Sequence, residues 1–445
     1  MPKPTRIATT PIILCFLFSA IIAVPTQPSG VHRTVARQSA TKPELPVPTG
    51  DFAVGRVVYH WTDNSRAEPL SPSKEAHREV MVYVWYPAAK VSAGSQSPPY
   101  MPDFHSIQKA VTDADLEDLF RPAYFTIQQF GYPSTHANEN AAMPLRPMRF
   151  PVLVFSHGLG LTSEVYTAEF EDLASHGYVV AAIDHTYDST FTLFPGGRFV
   201  TFAQEKWDTE SKKPGGFLNY VKERVEVWAQ DTRFVIDQLT HYDRTPSLNA
   251  PFRGRLDLKR IGAFGHSFGG LTSARVCQLD NRIRACMNQD SDVKGSPFVV
   301  DQPRKSFYQP FLYFIGPTAD VFSEQKIHPT DEALVQMKLT RAEYDSIVKK
   351  QQDSQNEALS RLSHGSYRVT LVRLPGFTHR SFSDLPLLAA HGDATKLNES
   401  SHNFLIAQSY LRAFFDKYLK GRRECLLNQK CTPDPRVKVE FFNGR

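Results

Sequence analysis

Short apolar runs alternate with amphipathic stretches through the middle of the chain. Residues 152–155 and 179–183 are apolar without polar alternation, which is typical of parallel strands buried on both faces of a sheet. Residues 260–264 predict a third such strand. Residues 164–175 and 219–241 instead carry apolar side chains at helical spacing. This alternation predicts an α/β protein with a mostly parallel sheet covered by helices on both faces.

The same pattern predicts elements on either side of this region. Residues 52–61 and 80–86 are rich in β-branched and aromatic side chains and predict antiparallel strands that open the sheet. A short helix is predicted near residues 113–120, within a segment rich in proline turns. Three later strands are predicted at residues 283–288, 311–315 and 367–373, and a closing helix at residues 402–419.

These elements predict one large domain at residues 49–421, with a lead-in and a tail. Residues 25–48 are rich in Pro, Ser and Thr and predict a flexible lead-in, and residues 422–445 predict a C-terminal tail. Insertions into the domain are predicted at about residues 88–148, 189–255 and 325–363, the last of them charged and helical.

Residues 1–24 have the charge order of an export signal. Lys3 and Arg6 precede an apolar run at residues 11–24, which is too short for a helix that crosses a hydrocarbon core of about 30 Å. The run predicts a secretory signal and a secreted protein, periplasmic if the host is a bacterium. Because no clear small-residue cleavage site follows, an uncleaved membrane anchor is the alternative.

Composition excludes several classes of function. The 445 residues are 41% hydrophobic and 22% charged, and the net charge of +5 falls to about +3 without Lys3 and Arg6. This mild charge, without a basic stripe, argues against nucleic-acid binding. No nucleotide-binding motif or metal-ligand spacing occurs in the sequence, so we expect neither a cofactor nor a metal.

Four cysteines follow the leader. Cys425 and Cys431 lie six positions apart in the tail and predict a disulfide, because an exported protein meets an oxidising compartment. Cys277 and Cys286 flank a predicted helix, and we expect both to be reduced core residues, since free cysteine packs as a small hydrophobe.

The motif Gly-x-Ser-x-Gly occurs at Gly265, Ser267 and Gly269, between a predicted strand and a predicted helix. This context is that of a nucleophile elbow, a tight turn that lifts the serine hydroxyl clear of the backbone. The turn needs glycine on both sides because it has no room for Cβ atoms. The sequence therefore predicts Ser267 as a catalytic nucleophile.

A serine hydroxyl needs a histidine base, and the histidine needs a carboxylate to orient it. After such an elbow the chain order is serine, acid, histidine. His379 leaves the last predicted core strand through a Pro-Gly turn, which favours it over His364 and His391. Asp290 and Asp320 each follow a predicted strand and are nearly equal candidates for the acid, with Asp292 a minor third.

The reaction also requires two N–H groups that hold the negative oxygen of the transition state. The N–H of Phe268, directly after the nucleophile, is the first candidate. The loop at residues 155–160 follows an apolar strand and contains glycines that let the backbone turn its amides inward. The N–H of Leu159 in this loop is the second candidate.

Three blocks of this sequence, residues 155–160, 173–185 and 265–270, resemble the platelet-activating-factor acetylhydrolase family, plasma and intracellular type II, within the α/β-hydrolases. Trp85-Tyr86-Pro87 is similar to a strand ending in that family. The resemblance implies an α/β-hydrolase fold and favours Asp290 over Asp320 as the acid. It also implies Ser267 and His379 as its partners, Leu159 and Phe268 as oxyanion donors, and calcium-independent hydrolysis of short or oxidised sn-2 acyl groups.

The chain departs from the family at residues 184–188 and in the insertions at 189–255 and 325–363, which border the expected substrate site. We therefore expect a secreted serine esterase that acts on phospholipid-like esters, with lipid-surface association and oligomeric state left open. A general carboxylesterase or polyester hydrolase with the same triad is the alternative. A non-catalytic binding protein on a hydrolase scaffold is disfavoured, because the serine, histidine, acid and both glycine loops are retained.

Overall fold

A computed structural model describes residues 44–90, 98–117, 127–291, 308–316 and 369–442, apart from isolated residues within these ranges, and a few residues between 334 and 353. The predicted leader, Asp292, Asp320, His364 and His391 lie outside the described residues, as does most of the predicted insertion at 325–363.

The described residues form a ten-stranded sheet with the strand order β12-β11-β10-β9-β8-β4-β5-β2-β1-β3. Its strands are β1 Ala53–Ala67, β2 His77–Ala88, β3 Ala137–Glu139, β4 Phe150–Ser156, β5 Val179–His185, β8 Leu256–His266, β9 Ile283–Gln289, β10 Phe311–Ile315, β11 Val369–Arg373 and β12 Lys438–Phe442. Strands β6 Phe191–Leu193 and β7 Phe199–Thr201 form a separate hairpin. The helices are α1 Phe104–Asp113, α2 Thr167–Ser175, α3 Gln204–Ser211, α4 Gly216–Arg244, α5 Phe268–Leu279, α6 Leu385–Ala389 and α7 Ala394–Lys420.

The centre of the sheet is parallel, from β5 through β4, β8, β9 and β10 to β11. Strands β1 and β2 join antiparallel beside β5, as expected from the sequence. All seven residues of β4 are buried. Its Leu153 and Phe155 lie in one hydrophobic cluster and Val152 and Val154 in another, so successive side chains pack on opposite faces. The predicted α/β-hydrolase fold is confirmed. Because its central strands are buried on both faces of the sheet, their sequences are continuous apolar runs.

Two predicted features differ from the structure. The first helix is α1, which ends at Asp113, whereas the prediction placed a helix near residues 113–120. The helix follows Pro102 and buries Ile107 and Val111, a four-residue spacing that the many turn signals obscured. The predicted C-terminal tail at residues 422–445 also contributes β12, which pairs antiparallel with β11 and adds an edge strand to the sheet.

The cysteine predictions had opposite outcomes. The predicted Cys425–Cys431 disulfide is present. The expectation that Cys277 and Cys286 are reduced is wrong, because a disulfide joins them. Both residues are buried in the core, but Cys277 lies on α5 and Cys286 on β9, and the packing of this helix on this strand brings the two sulfurs together. The bond therefore ties the helix that begins after Ser267 to the strand that precedes Asp290.

None of the helices in the described part of the chain combines the length and the apolarity that a bilayer crossing requires.

A buried carboxyl group lies beneath the carboxyl end of β9. Glu169 on α2 accepts hydrogen bonds from Gln289 Nε2 and Gln408 Nε2, both 2.9 Å from its Oε2. Burial raises the pKa of Glu169 to about 8, an effect that the two amides only partly oppose. Among the described residues, Gln289 Oε1 and Gln408 Oε1 have no hydrogen-bond donor.

Because its folded-state pKa lies above the ordinary value of 4.5, the contribution of Glu169 to stability is complete below about pH 4.5 and is lost as the pH rises toward 8. One such group changes the free energy of unfolding by at most about 1.4 kcal/mol per pH unit. We expect Glu169→Gln to flatten the dependence of the free energy of unfolding on pH between pH 5 and pH 8, measured by urea unfolding. Exposed Glu399→Gln is the control, and equal slopes for both variants would contradict the prediction.

Candidate active site

The turn between β8 and α5 holds Ser267 in a strained conformation. Its φ of 54° and ψ of −119° lie outside the regions that residues other than glycine usually adopt. The Ser267 N–H donates to the carbonyl of Gln289 at 2.9 Å, which ties the turn to the end of β9. The side chain is only partly buried, so the turn presents a serine at the carboxyl edge of the sheet.

The glycines of the motif are required by contact with neighbouring backbone. A Cβ atom on Gly269 would lie 1.9 Å from the carbonyl oxygen of Ser156, and one on Gly265 would lie 2.3 Å from the carbonyl oxygen of Gly269. The turn therefore packs directly against the end of β4, where the loop with the predicted oxyanion donor begins.

Asp290 follows β9 immediately and is fully buried. Its Oδ1 accepts the N–H of Gly316 at 3.0 Å, and its Oδ2 lies 2.7 Å from His379 Nδ1. Its own N–H donates to the carbonyl of Phe314 at 3.1 Å, so backbone groups fix the carboxylate at the end of β10. The structure thus brings Asp290 and His379 into direct contact, while the rival acid Asp320 lies outside the described residues.

His379 begins a short 3₁₀ turn beyond β11. The chain reaches it through Gly376, whose φ of 80° suits glycine, and Thr378 and Ser381 form a reciprocal capping box over the turn. Since the carboxylate of Asp290 accepts from Nδ1, the neutral ring carries its proton there, and Nε2 is its basic nitrogen. The His379 ring lies 4.5 Å, centre to centre, from the ring of His266, the residue before Ser267.

The loop after β4 is held at both ends. The N–H of Gly158 donates to the Tyr166 hydroxyl at 3.0 Å, and the N–H of Gly160 donates to the carbonyl of Asp188 at 2.9 Å. Between them, the N–H of Leu159 has no acceptor within the described residues, and the same is true of the N–H of Phe268. Leu159 and Phe268 also pack in one hydrophobic cluster. Two N–H groups without internal acceptors therefore lie on neighbouring loops.

A buried polar network supports this loop from below, and it includes residues that the sequence did not single out. His157 Nδ1 donates to the carbonyl of Gly158, and its Nε2 accepts the N–H of His185. His185 Nδ1 donates to Asp231 at 2.8 Å, and its Nε2 accepts from the Ser156 hydroxyl at 3.0 Å. Burial lowers the pKa of both histidines, so both are neutral and their tautomers are fixed by these partners. His185 and Asp188 lie in the segment at 184–188 that departs from the family, which is the only sequence signal for the network.

The predicted insertion at 189–255 contributes an aromatic wall beside the turn. Phe268 packs edge to face against Trp228 of α4 at 4.7 Å and against Trp207 of α3 at 6.1 Å. Trp228 Nε1 donates to Asp188 at 2.7 Å, and its ring stacks on His185 at 3.9 Å. This insertion therefore supports the loop at residues 157–160 and the helix after Ser267.

Four apolar side chains that follow His379 are part of the main hydrophobic core: Phe382, Leu385, Leu387 and Leu388. Their exposed fractions are 3% or less. In the part of the chain that the structure describes, no cluster of three or more His, Cys, Asp or Glu side chains is arranged to hold a metal ion.

Comparisons with known proteins find similar sequences and structures among esterases. A sequence model of the family described as platelet-activating factor acetylhydrolase, isoform II, matches residues 37–213. A protein of Arthroderma benhamiae named "Probable 1-alkyl-2-acetylglycerophosphocholine esterase" is 24% identical over 88% of this chain and 92% of its own length. Platelet-activating factor acetylhydrolase of Canis lupus familiaris is 32% identical, but over 36% of this chain and 39% of that enzyme.

Among solved structures, the ferulic acid esterase from Streptomyces cinnamoneus superposes with a TM-score of 0.63 and 25% sequence identity, over 89% of this chain and 99% of that one. The fold and these relatives make the chain an α/β-hydrolase of the esterase class. The resemblance to the platelet-activating-factor acetylhydrolase family is confirmed. Two of the three blocks that predicted it lie within the matched residues, and the block at 265–270 lies beyond them.

We expect Gly269→Ala to abolish both native folding and esterase activity, because the added methyl group would overlap the Ser156 carbonyl. Gly254→Ala is the matched control, since Gly254 has a φ of 69° but no atom near an added Cβ. That control should lose about 1 kcal/mol of stability from backbone strain alone and keep its activity. Soluble yield, thermal unfolding and turnover of p-nitrophenyl acetate measure both variants. A folded, active Gly269→Ala enzyme would refute the steric argument.

Proposed function

We propose that this protein is a secreted serine esterase in which Ser267, His379 and Asp290 form a catalytic triad. The hydrogen bond of 2.7 Å between His379 Nδ1 and Asp290 Oδ2, at the sheet edge that also carries the strained Ser267 turn, is the observation that supports this most directly. It joins the residues that follow β9 and β11, and the N–H of Ser267 is bonded to the end of β9.

In the first half of the reaction, Ser267 Oγ attacks the ester carbonyl carbon while its proton passes to His379 Nε2. Asp290 keeps the opposite ring nitrogen protonated and stabilises the imidazolium that forms. The carbonyl oxygen becomes negative, and the N–H groups of Leu159 and Phe268 donate to it. When the tetrahedral intermediate collapses, the carbon–oxygen bond to the alcohol breaks, and His379 returns the proton to the leaving oxygen.

In the second half, water attacks the acyl group on Ser267. His379 Nε2 takes a proton from that water, the same two N–H groups hold the new oxyanion, and the bond to Ser267 Oγ breaks. The proton then returns to Ser267, and a carboxylic acid leaves. Neither half-reaction as written requires a redox group or a metal ion, since each consists of a nucleophilic attack and a proton transfer.

We propose as substrates the short or oxidised sn-2 acyl esters of phospholipids similar to platelet-activating factor. The names of the fungal and canine relatives support this class. Secretion is supported by the apolar leader and by the two disulfides, since such bonds persist in oxidising compartments.

One observation favours a second candidate, a carboxylesterase that uses the same triad on other esters. The structural neighbour that matches 89% of this chain is a ferulic acid esterase.

The substrate class is tested by comparing kcat/KM for a 2-acetyl phosphocholine lipid, its long-acyl counterpart and methyl ferulate. For the proposed phospholipid activity, we expect the acetyl lipid to exceed both others by at least about tenfold, a difference of roughly 1.4 kcal/mol in transition-state binding. Preference for methyl ferulate would instead support the carboxylesterase.

Replacement of the nucleophile tests the triad itself. We expect Ser267→Ala to lower kcat by roughly four to six orders of magnitude while the fold persists, because the attacking oxygen is removed without adding volume. Ser409→Ala on α7, far from the turn in sequence, is the matched control and should keep full activity. Mass analysis after fluorophosphonate treatment should find the label on Ser267 alone. Appreciable turnover by Ser267→Ala would end the proposal.

A further inference from the structure

Three hydrogen bonds connect the loop that carries Leu159 to the backbone of His379. The N–H of Gly158 lies 3.0 Å from the Tyr166 hydroxyl, which lies 2.8 Å from His266 Nδ1. His266 Nε2 in turn lies 2.8 Å from the carbonyl oxygen of His379. We refer to the side chains of Tyr166 and His266 as the bridge. Both are buried, with exposed fractions of 0% and 1%.

The two ends of this chain of hydrogen bonds fix the direction of every bond in it. The His379 carbonyl can only accept, so His266 Nε2 carries the proton and donates. His266 Nδ1 of the neutral ring must then accept, and the Tyr166 hydroxyl donates to it. The Gly158 N–H can only donate, and the hydroxyl oxygen accepts it. Each polar atom of the bridge thus has a partner.

His266 remains neutral in this setting. Burial lowers the pKa of His266 well below its ordinary value, and the nearby ring of His379 acts in the same direction. A second proton on Nδ1 would oppose the hydroxyl proton of Tyr166, so the hydrogen-bond arrangement also favours the neutral form. The bridge therefore has one stable arrangement of protons.

We propose that Tyr166 and His266 are positioning residues. They hold the catalytic histidine, His379, and the loop at residues 157–160, here called the oxyanion loop, in register with Ser267. This deepens the proposed function and rests on its triad. Asp290 accepts a hydrogen bond from Nδ1 of the His379 ring, which anchors one atom of that side chain. The bond from His266 fixes the His379 backbone, which supplies the second anchor.

The packing around the bridge makes it stiff. The His266 ring packs against three other rings. The distances between ring centres are 4.5 Å to His379, 5.8 Å to Tyr166 and 5.9 Å to Phe382. A Cβ atom on Gly158 would lie 3.1 Å from His266 Nδ1, so the oxyanion loop lies directly on this ring. A displacement of His266 would therefore move the base and one oxyanion donor together, and a shift of about 1 Å in such groups costs roughly a hundredfold in rate.

Two substitutions at the same position separate the two bonds of His266. The amide of His266→Gln reaches the place of Nε2 and can still donate to the His379 carbonyl. The amide of His266→Asn reaches only the place of Nδ1, so it keeps an acceptor for Tyr166 and loses the bond to His379. We expect His266→Asn to lower kcat for p-nitrophenyl acetate by about tenfold to a hundredfold with little change in KM. His266→Gln should stay within about fivefold of the native enzyme.

The hydroxyl of Tyr166 is tested by Tyr166→Phe against a matched control. Tyr178→Phe removes the hydroxyl of another buried tyrosine, which donates to Asp416 on α7 at 2.7 Å. We expect kcat to fall about tenfold in Tyr166→Phe and to stay within about twofold in Tyr178→Phe at a similar loss of thermal stability. If His266→Asn does not fold, this pair decides the proposal.

A readout that does not depend on turnover separates this proposal from the proposed function. In the Ser267→Ala background, the low-field imidazole proton between His379 Nδ1 and Asp290 should remain sharp by NMR when His266→Gln is added. It should shift or broaden when His266→Asn is added. Turnover that survives in Ser267→Ala would defeat the proposed function, while this resonance would still report on the bridge.

Equal kcat values for His266→Asn and His266→Gln, together with an unchanged low-field resonance in both, would overturn the positioning role. The positioning role would also be overturned if Tyr166→Phe and Tyr178→Phe lost kcat in the same proportion to their loss of thermal stability. The bridge would then contribute only ordinary core packing.

Discussion

The contact between the turn at Ser267 and the end of β4 is the constraint on which the rest of the site depends. No side chain fits between Gly269 and the Ser156 carbonyl, so the turn and the oxyanion loop meet through bare backbone. This closeness accompanies the packing of Leu159 and Phe268 in one hydrophobic cluster, and Ser267 between β8 and α5 has a strained φ of 54°. Strain at one residue is tolerated because β4 and the last six residues of β8 are buried and hold their positions.

Buried polar groups then give this backbone arrangement its chemistry. His157, His185 and Asp231 form a network under the oxyanion loop whose bonds each have a determined donor and acceptor. Asp290 is equally buried, and its Oδ1 accepts from the backbone N–H of Gly316 while its Oδ2 accepts from His379. In a low-dielectric interior an unpaired polar group is costly, so a completely paired network resists rearrangement. The arrangement therefore supports a site that is organised before substrate arrives.

The candidate site has two parts of different origin: the turns that carry Ser267, Asp290 and His379, and the insertion beside them. The Ser267 turn, the Asp290 loop and the His379 turn follow buried strands or their ends, where the fold leaves little freedom. The aromatic wall of Trp207 and Trp228 comes from the predicted insertion at 189–255, and the match to the family model ends within this insertion, at residue 213. Esterases of one fold differ mainly in such insertions, because the catalytic edge of the sheet tolerates new loops around it.

The sequence by itself determined which segments form the buried strands, the turn at Ser267 and the place of His379 after β11. Apolar runs and glycine spacing report local burial and backbone conformation, which is why they were sufficient for this. From residues alone it left Asp290 and Asp320 nearly equal, and it missed the Cys277–Cys286 bond, α1 and β12. Only the tertiary structure joined Tyr166 to His266 across 100 positions and His266 to His379 across 113. Such contacts depend on how helices pack on the sheet, and no local pattern of hydrophobic and polar residues encodes which distant side chains will meet.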